Sequence, residues 1–237
     1  MKRRRLGQHY LTDDGVARLM AEAAEILPGD KVLEIGTGRG ALTKVLQEKS
    51  GLLEAYEIDR ENYERTLEVV NGGAARVILG DAFRHRPHFD VLVASLPYSQ
   101  SSVFIEWLAE SAFRKAVVLL QDDFVKKVLA RPGSRDYRGV SALSQICFNI
   151  EVLARVGRAS FSPSPRVSSL VVAMSPKARL TKRQTRLIKL LFSLRRKRVA
   201  TAMAMLKMGP GEGFGDRRVY SLAPEEVQRI VSGVTLA

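Results

Sequence analysis

Residues Val32 to Thr43, reading V-L-E-I-G-T-G-R-G-A-L-T, constrain this chain more than any other stretch: an apolar, β-prone run breaks on three glycines at alternate positions and then resumes with helical spacing. Glycine reaches backbone conformations closed to other residues and lets the main chain approach a ligand closely. The segment is therefore expected to form a strand, a tight turn and a helix N-terminus where a nucleotide-like cofactor sits. The spacing is G-x-G-x-G, not the G-x-G-x-x-G of dinucleotide phosphate loops. Glu34 also places a carboxylate just before the turn. A pyrophosphate favours a neutral or basic approach to a helix N-terminus, whereas an acid suits a cationic ligand such as the sulfonium and ammonium of S-adenosylmethionine. A plain strand-helix turn with no ligand is the alternative, because a short glycine motif is weakly specific on its own.

A second acid sharpens this reading. Leu52 to Ile58 is another short apolar strand candidate, and Glu57 ends it 21 positions after Gly36. That is the reach expected of a carboxylate accepting hydrogen bonds from both ribose hydroxyls. Asp59 is expected to open the following helix, whose N-terminus favours acids. Val77 to Ala82 supplies a third strand ending in an acid, Asp81, placed to accept from the adenine amino group of the same cofactor.

Strand and helix patterns alternate along the chain. Strands are expected at 31–35, 52–58, 75–79, 89–94 and 115–120, with helices at 13–26, 40–49, 60–70 and 101–110, the first capped by Thr12 or Asp13. This alternation predicts an α/β fold, a Rossmann-like doubly wound parallel sheet with ligands at the carboxyl ends of its strands. Helices near 121–131 and 139–148 follow, then strand-like runs at 150–157 and 168–174, expected as an antiparallel pair. From Thr181 the pattern is helical and basic (181–193, 195–207, 223–232), interrupted by the glycine-rich run from Gly209 to Gly213. The expected domains are 1–176, with a basic N-terminal arm, and a small α-helical domain over 177–237.

At 237 residues with 46% hydrophobic content the chain can bury a sizeable core. No apolar run approaches the roughly 18 residues of a membrane span, and the basic N-terminus lacks a following hydrophobic stretch, so a cytoplasmic protein without membrane contact is expected. Cys147 has no Cys or His partner at ligand spacing and reads as core packing in a reducing compartment, and His9, His85 and His88 are too scattered to hold a metal. Scarce asparagine and 26 arginines against 12 lysines lean towards a heat-adapted source.

Net charge is +13, and its distribution matters more than its size. Residues 177–237 hold 14 basic and 4 acidic side chains, Lys2 to Arg5 are all basic, and residues 6–176 hold 20 basic against 21 acidic. A neutral body with two basic extensions suits an enzyme acting on a large polyanion, because Lys and Arg release counterions from phosphates and steer encounter. A solvated basic face that only keeps the protein in solution is the alternative.

Reaction type is legible at Asp90 to Tyr98, a strand ending in S-L-P-Y. An enzyme that methylates the adenine amino group must take in a flipped-out base, stack it on an aromatic ring and accept hydrogen bonds from N6, so that the nitrogen lone pair is free to attack. Ser95, the Leu96 carbonyl beside Pro97, and Tyr98 fit these parts. A proline turn with a packing tyrosine is the competing reading.

Taken together, the motifs make the chain resemble the rRNA adenine N6-dimethyltransferase family, in an archaeal-like form, over residues 6–202. Gly7 to Leu11 is similar to the family's G-Q-(N/H)-F-L opening, Glu34 to Thr43 to its E-I-G-x-G-x-G-x-L-T loop, and Glu57 to Asp59 and Gly80 to Ala82 to its E-I-D and G-D-A. Arg131 to Tyr137, Phe161 to Val167 (F-S-P-S-P-R-V) and Phe192 to Arg198 resemble its P-G-S, F-x-P-x-P-x-V and F-x-x-R-R-K segments. The resemblance implies an S-adenosylmethionine-dependent enzyme that dimethylates two adjacent adenosines near the 3′ end of 16S rRNA, with the small ribosomal subunit as partner, acting as a monomer. It implies that His9, Leu11, Gly36, Glu57, Asp81 and Ser95 contact the cofactor and that Tyr98 and Phe161 sandwich the target base. Arg195, Arg196, Lys197 and Arg198 would then lie against phosphates, and no metal is implied. The family ordinarily carries asparagine where this chain has Ser95, whose shorter hydroxyl predicts slower rather than abolished transfer. Tyr10 in place of phenylalanine is a minor departure. A large-subunit rRNA methyltransferase, a non-catalytic ribosome-assembly factor on the same fold and a dinucleotide-dependent oxidoreductase are the other readings, the last disfavoured by the glycine spacing.

Overall fold

The computed structural model describes residues 9–70, 75–209 and 213–233. The basic run Lys2 to Arg5, the motif residues Gly7 and Gln8 and the loop residues Pro210 to Glu212 lie outside them. Its strands are β1 (Tyr10–Leu11), β2 (Val32–Ile35), β3 (Leu53–Glu57), β4 (Ala75–Leu79), β5 (Val91–Ser95), β6 (Lys115–Gln121), β7 (Phe148–Val156), β8 (Phe161–Ser162) and β9 (Ser169–Pro176). The helices are α1 (Asp14–Ala23), α2 (Ala41–Lys49), α3 (Arg60–Val69), α4 (Ala82–His85), α5 (Ser101–Ala109), α6 (Asp122–Val128), α7 (Gly139–Cys147), α8 (Lys182–Ser193), α9 (Val199–Met205) and α10 (Pro224–Gly233).

Continuous burial explains the centre of the main sheet. All four residues of β2 are buried, as are Val91 to Ala94 of β5 and Ala116 to Leu120 of β6, the unalternating apolar run of strands covered on both faces. The seven strands run in the order β4-β3-β2-β5-β6-β9-β7, and β4, β3, β2, β5 and β6 are mutually parallel. The chain moves outward in one direction through β3 and β4 and in the other through β5 and β6, so a crevice opens at the carboxyl ends of β2 and β5. The expected doubly wound parallel sheet is present, with β9 added antiparallel to β6 and β7 at the edge beside β9.

Helix α1 starts where predicted, because Asp13 Oδ1 accepts from the N–H groups of Gly15 and Val16 at 3.0 and 3.2 Å, satisfying two donors that an unfinished helix end leaves open. Its buried Ala17, Met20 and Ala21 share one apolar core with Leu42, Val45 and Leu46 of α2 and with Val32, Val91 and Val117 of the sheet. β1 and β8 were not anticipated. Each is only two residues long, too short for alternation to register, yet they pair antiparallel with Tyr10 opposite Ser162 and Leu11 opposite Phe161.

The chain divides into two compact units, and the division is not a single cut near residue 176. One unit takes the chain through Phe104 together with Ala112–Asp122 and Ile150–Pro176; the other takes Ile105–Ser111, Asp123–Asn149 and Lys177 onward. Within the second unit, α7 packs on α8 and α10, so residues 123–149 group with the C-terminal helices rather than with the sheet. Gly139 at the start of α7 permits this, since a Cβ there would lie 3.2 Å from Phe192 Cβ. The ring of Tyr137 meets that of Phe192 edge-on at 5.5 Å. Thr181 and Gln184 cap α8 reciprocally, and its Leu187, Ile188, Leu191 and Phe192 are buried.

Candidate active site

The glycine turn adopts the geometry its spacing predicts. Gly36, Gly38 and Gly40 all have positive φ, at 79°, 57° and 80°, a region that costs an L side chain energy. A Cβ on Gly40 would lie 2.5 Å from Val69 Cγ2, and one on Gly38 3.0 Å from Tyr10 Cδ1. The turn can therefore pass close beneath neighbouring side chains only because it carries none. Beside it is a cavity of about 230 Å³, walled by the turn, by Glu57 and Ile58 at the end of β3, by Asp81 to Phe83 after β4, and by Ser95 to Pro97 at the end of β5. His9, Tyr10 and Leu11 close one side.

Glu57 is buried and fixed by main-chain donors. Its Oε2 accepts from Gly38 N–H at 2.9 Å, and its Oε1 from Ile58 and Asp59 N–H at 2.8 and 2.9 Å. Burial pushes its carboxyl upward while these three donors oppose the rise. Asp59 caps α3 through Asn62 N–H, as its position suggested. Asp81 caps α4 with Oδ1, accepting from Phe83 N–H at 2.9 Å, while Oδ2 is 3.4 Å from Arg84 Nε.

Glu34 departs from its expected place. The sequence predicts a carboxylate facing a cationic ligand, yet Glu34 is 0% exposed and absent from the cavity wall. Among the described residues neither of its oxygens, nor the neighbouring Thr43 hydroxyl, has a hydrogen-bond partner of good geometry. Burial pushes its carboxyl up to about 8, opposed by the adjacent Thr43 hydroxyl and aided by a smaller contribution from the Glu57 charge. The acids that meet the cavity are Glu57 and Asp81. Alternation in a buried central strand gives no sign of this, because both faces are covered.

At the substrate end Ser95, Leu96 and Pro97 line the cavity, and Tyr98 lies just beyond it. The Tyr98 hydroxyl is 2.8 Å from Ser169 Oγ, and its ring centroid is 5.6 Å from that of His9, the planes inclined by 31°. Phe161 requires a correction. Paired with Leu11 through β1 and β8, it is 4% exposed and part of the apolar core, and its side chain is packed there rather than presented on the cavity wall as the sandwich with Tyr98 would need. Hydrophobic burial of a full phenylalanine ring outweighs leaving it at an opening.

Sequence reasoning missed several wall residues. Arg39 lies over the Tyr10 ring with Cζ 4.9 Å from the centroid, a cation–π contact, and Asn62 Nδ2 is 3.4 Å from Tyr10 Oη. Tyr56, Phe83 and Gln100 also line the cavity. Only Arg39, inside the glycine turn, carried a local signal.

The predicted basic cluster lies in a turn between α8 and α9, not within a helix. Arg198 pairs with Asp216 at 3.0 Å, the Arg196 carbonyl accepts from Arg218, and Arg196 and Lys197 are exposed. Burial and the neighbouring Arg138 and Arg196 charges lower the Arg195 pKa.

A doubly wound sheet with a G-x-G-x-G turn after β2, an acid ending β3 and S-L-P-Y after β5 defines a Rossmann-like S-adenosylmethionine-dependent methyltransferase domain with added helices. The family model described as ribosomal RNA adenine dimethylase matches residues 1–227. The chain is 33% identical to a probable ribosomal RNA small subunit methyltransferase A of Pyrococcus abyssi, covering 95% of this chain and 89% of that protein. It is 36% identical to the ribosomal RNA small subunit methyltransferase A of Moorella thermoacetica, covering 86% and 79%. Among solved structures it is similar to a dimethyladenosine transferase from Plasmodium falciparum, with TM-score 0.77, 25% identity and coverage of 94% and 96%. It is also similar to the 23S rRNA methyltransferase ErmE, with TM-score 0.67, 25% identity and coverage of 95% and 99%. The chain belongs to the ribosomal RNA adenine dimethylase family.

Proposed function

We propose that this protein transfers methyl groups from S-adenosylmethionine to N6 of two adjacent adenosines near the 3′ end of 16S rRNA, on the assembling small ribosomal subunit, as a cytoplasmic monomer. The observation that carries this reading is that a single cavity joins a cofactor-type wall, Gly36, Glu57 and Asp81, to the Ser95 to Pro97 strand end. The residues fit the cofactor: the glycine turn leaves a side-chain-free cradle, and Glu57 is held immobile by three backbone donors with lone pairs to spare for a ribose diol.

When bound, S-adenosylmethionine supplies an electrophilic methyl on a sulfonium. Glu57 would hold the ribose, Asp81 the adenine amino group and Gly36 the methionine portion, with Leu11 and His9 closing the wall. Ser95 Oγ and the Leu96 carbonyl accept from the target N6 amine and lower its delocalisation into the ring, and Tyr98 offers a ring against the base. Acceptors fixed before substrate arrives need no reorganisation as charge develops on nitrogen. The basic residues Arg195 to Arg198 hold RNA phosphates.

Incubation with labelled S-adenosylmethionine and unmethylated small subunits, followed by nucleoside analysis, tests the reading. Label in dimethyladenosine at two adjacent positions is the expected result. In a parallel incubation with unmethylated large subunits, label there alone would replace it with the large-subunit reading, and no label in either subunit with a non-catalytic assembly role.

A further inference from the structure

Main-chain geometry holds the His9 imidazole in one orientation. The β1–β8 pairing, extended by Thr12 N–H donating to the Ser160 carbonyl at 2.9 Å, brings His9 to Pro163, whose carbonyl oxygen lies 2.7 Å from Nδ1. A carbonyl oxygen can only accept. Nδ1 therefore carries the proton, and in the neutral ring the lone pair is on Nε2. The same ring lines the cavity with Ser95 and Leu96 and lies beside Tyr98. An imidazole whose Nε2 has no hydrogen-bond partner among the described residues thus lines the same cavity as the strand end where the amine is received.

We propose that His9 is a catalytic residue that accepts a hydrogen bond, and then a proton, from the adenine N6 amine through Nε2. The proposal rests on the methyltransferase reading above. As the N6 lone pair forms the new C–N bond, the S–C bond of the sulfonium methyl donor breaks and its electron pair stays on sulfur. The nitrogen is left cationic, and one of its protons passes to Nε2. The products are neutral N-methyladenosine, a thioether and an imidazolium, which returns the proton to solvent. The opposite tautomer would direct an N–H at the amine hydrogens, so the Pro163 contact sets the direction of proton flow as well as the ring's pose. The amine carries two hydrogens, so Nε2 shares with Ser95 Oγ the one that the Leu96 carbonyl does not take. The ionisable groups on the walls around the ring are Tyr10, Arg39, Tyr56, Glu57 and Asp81, with Tyr98 abutting it; the carboxylates are on the cofactor wall, and the Tyr98 hydroxyl is engaged by Ser169.

Two measurements test this. In the protein alone, long-range nitrogen–proton spectra of labelled histidine, with His9 assigned from its loss in His9→Asn, are expected to show the Nδ1-protonated neutral form and to give the titration midpoint. The Nε2-protonated form would overturn the proposal. Single-turnover methyl transfer to unmethylated small subunits is then followed across pH in the wild type, His9→Asn and His9→Ala. The wild-type rate is expected to fall on acidification with a midpoint matching the His9 titration. His9→Asn, whose amide oxygen accepts without titrating, should lose that limb. His9→Ala should be slower by about 10²-fold at saturating cofactor, a loss that a rise in cofactor Kd does not account for. An acid limb that persists in His9→Asn, or an Ala variant impaired only in cofactor Kd, overturns the proposal and leaves His9 as a cofactor-wall residue. A wild type that transfers no methyl overturns the methyltransferase reading and this proposal with it.

Discussion

Replacing Glu34 with glutamine isolates the energetic cost of a buried carboxyl beside the cofactor turn. Its carboxyl is fully buried, lacks hydrogen-bond partners of good geometry among the described residues and is raised from 4.5 to about 8. Between those two values the folded protein keeps a proton that the unfolded chain has released, so stability falls as pH rises through the window. Each unit is worth about 1.4 kcal/mol, and the whole shift about 5 kcal/mol, an upper bound that relaxation and water entry reduce. Below pH 4.5 both states are protonated and the penalty vanishes; above 8 both are ionised and it is constant. Glutamine has the shape of the neutral acid and does not titrate. Glu34→Gln is therefore expected to match the wild type near pH 4 and to exceed it by about 3 kcal/mol near pH 7.5. Urea unfolding of both proteins at half-unit pH intervals, with the slope on denaturant checked for constancy, reads the difference directly. Other titrating groups cancel between the two proteins. A difference that stays flat from pH 5 to 8 would show that Glu34 is hydrated or paired in solution, and the reasoning from burial would fail.

Glu57→Ala should weaken S-adenosylmethionine binding by about 1 to 3 kcal/mol in calorimetry, since the ribose hydroxyls lose a charged acceptor and Gly38, Ile58 and Asp59 lose the partner of their N–H groups; unchanged affinity would remove Glu57 from the site. Ser95→Asn should preserve or raise the single-turnover rate and Ser95→Ala lower it with little change in cofactor affinity, whereas slowing by both would mean that the pocket has closed around serine and overpacks with the longer amide. Neutralising Arg196 and Lys197, the exposed pair in the basic turn, should lower the slope of log K for RNA against log salt by about 1 for each lost phosphate contact while cofactor affinity is unaltered; an unaltered slope would make that turn a solvated face.

The parts of the fold that were legible in sequence are those where one physical cause dominates. β2, β5 and β6 read as strands because continuous burial on both faces demands unbroken apolar residues, and α1 and α8 read as helices because cap and amphipathic stripe agree. Glu57 was legible because a carboxylate at a strand end sits at a fixed distance from the glycine turn. What escaped depends on contacts between residues far apart in the chain. β1 and β8 exist only through each other, across about 150 residues, with Tyr10 opposite Ser162, and no local pattern encodes such a pairing. The same pairing decides Phe161 and His9. It draws the phenylalanine into the core, where the family resemblance implied a base-stacking face, and it sets Nδ1 of the histidine ring against the Pro163 carbonyl.

That shared origin has a chemical consequence. A residue placed by local sequence, such as Ser95 at the end of β5, keeps its position whatever the chain does elsewhere. His9 and Leu11 keep theirs only while β1 holds β8, through Tyr10 to Ser162, Leu11 to Phe161 and the Thr12–Ser160 hydrogen bond, supported by Ser160 Oγ donating to Asp13 Oδ2 at 2.7 Å. Asp13 thus caps α1 and anchors the strand pair at once, and the hydrogen bond from Ser160, ahead of the Val16 N–H, holds its carboxyl below the usual carboxylate range. One wall of the cavity, holding both a cofactor contact and the imidazole, is in this way coupled to the core through Leu11 and Phe161. Disturbing that core seam should move His9 without touching Glu57, Asp81 or Ser95, whose positions derive from the sheet itself.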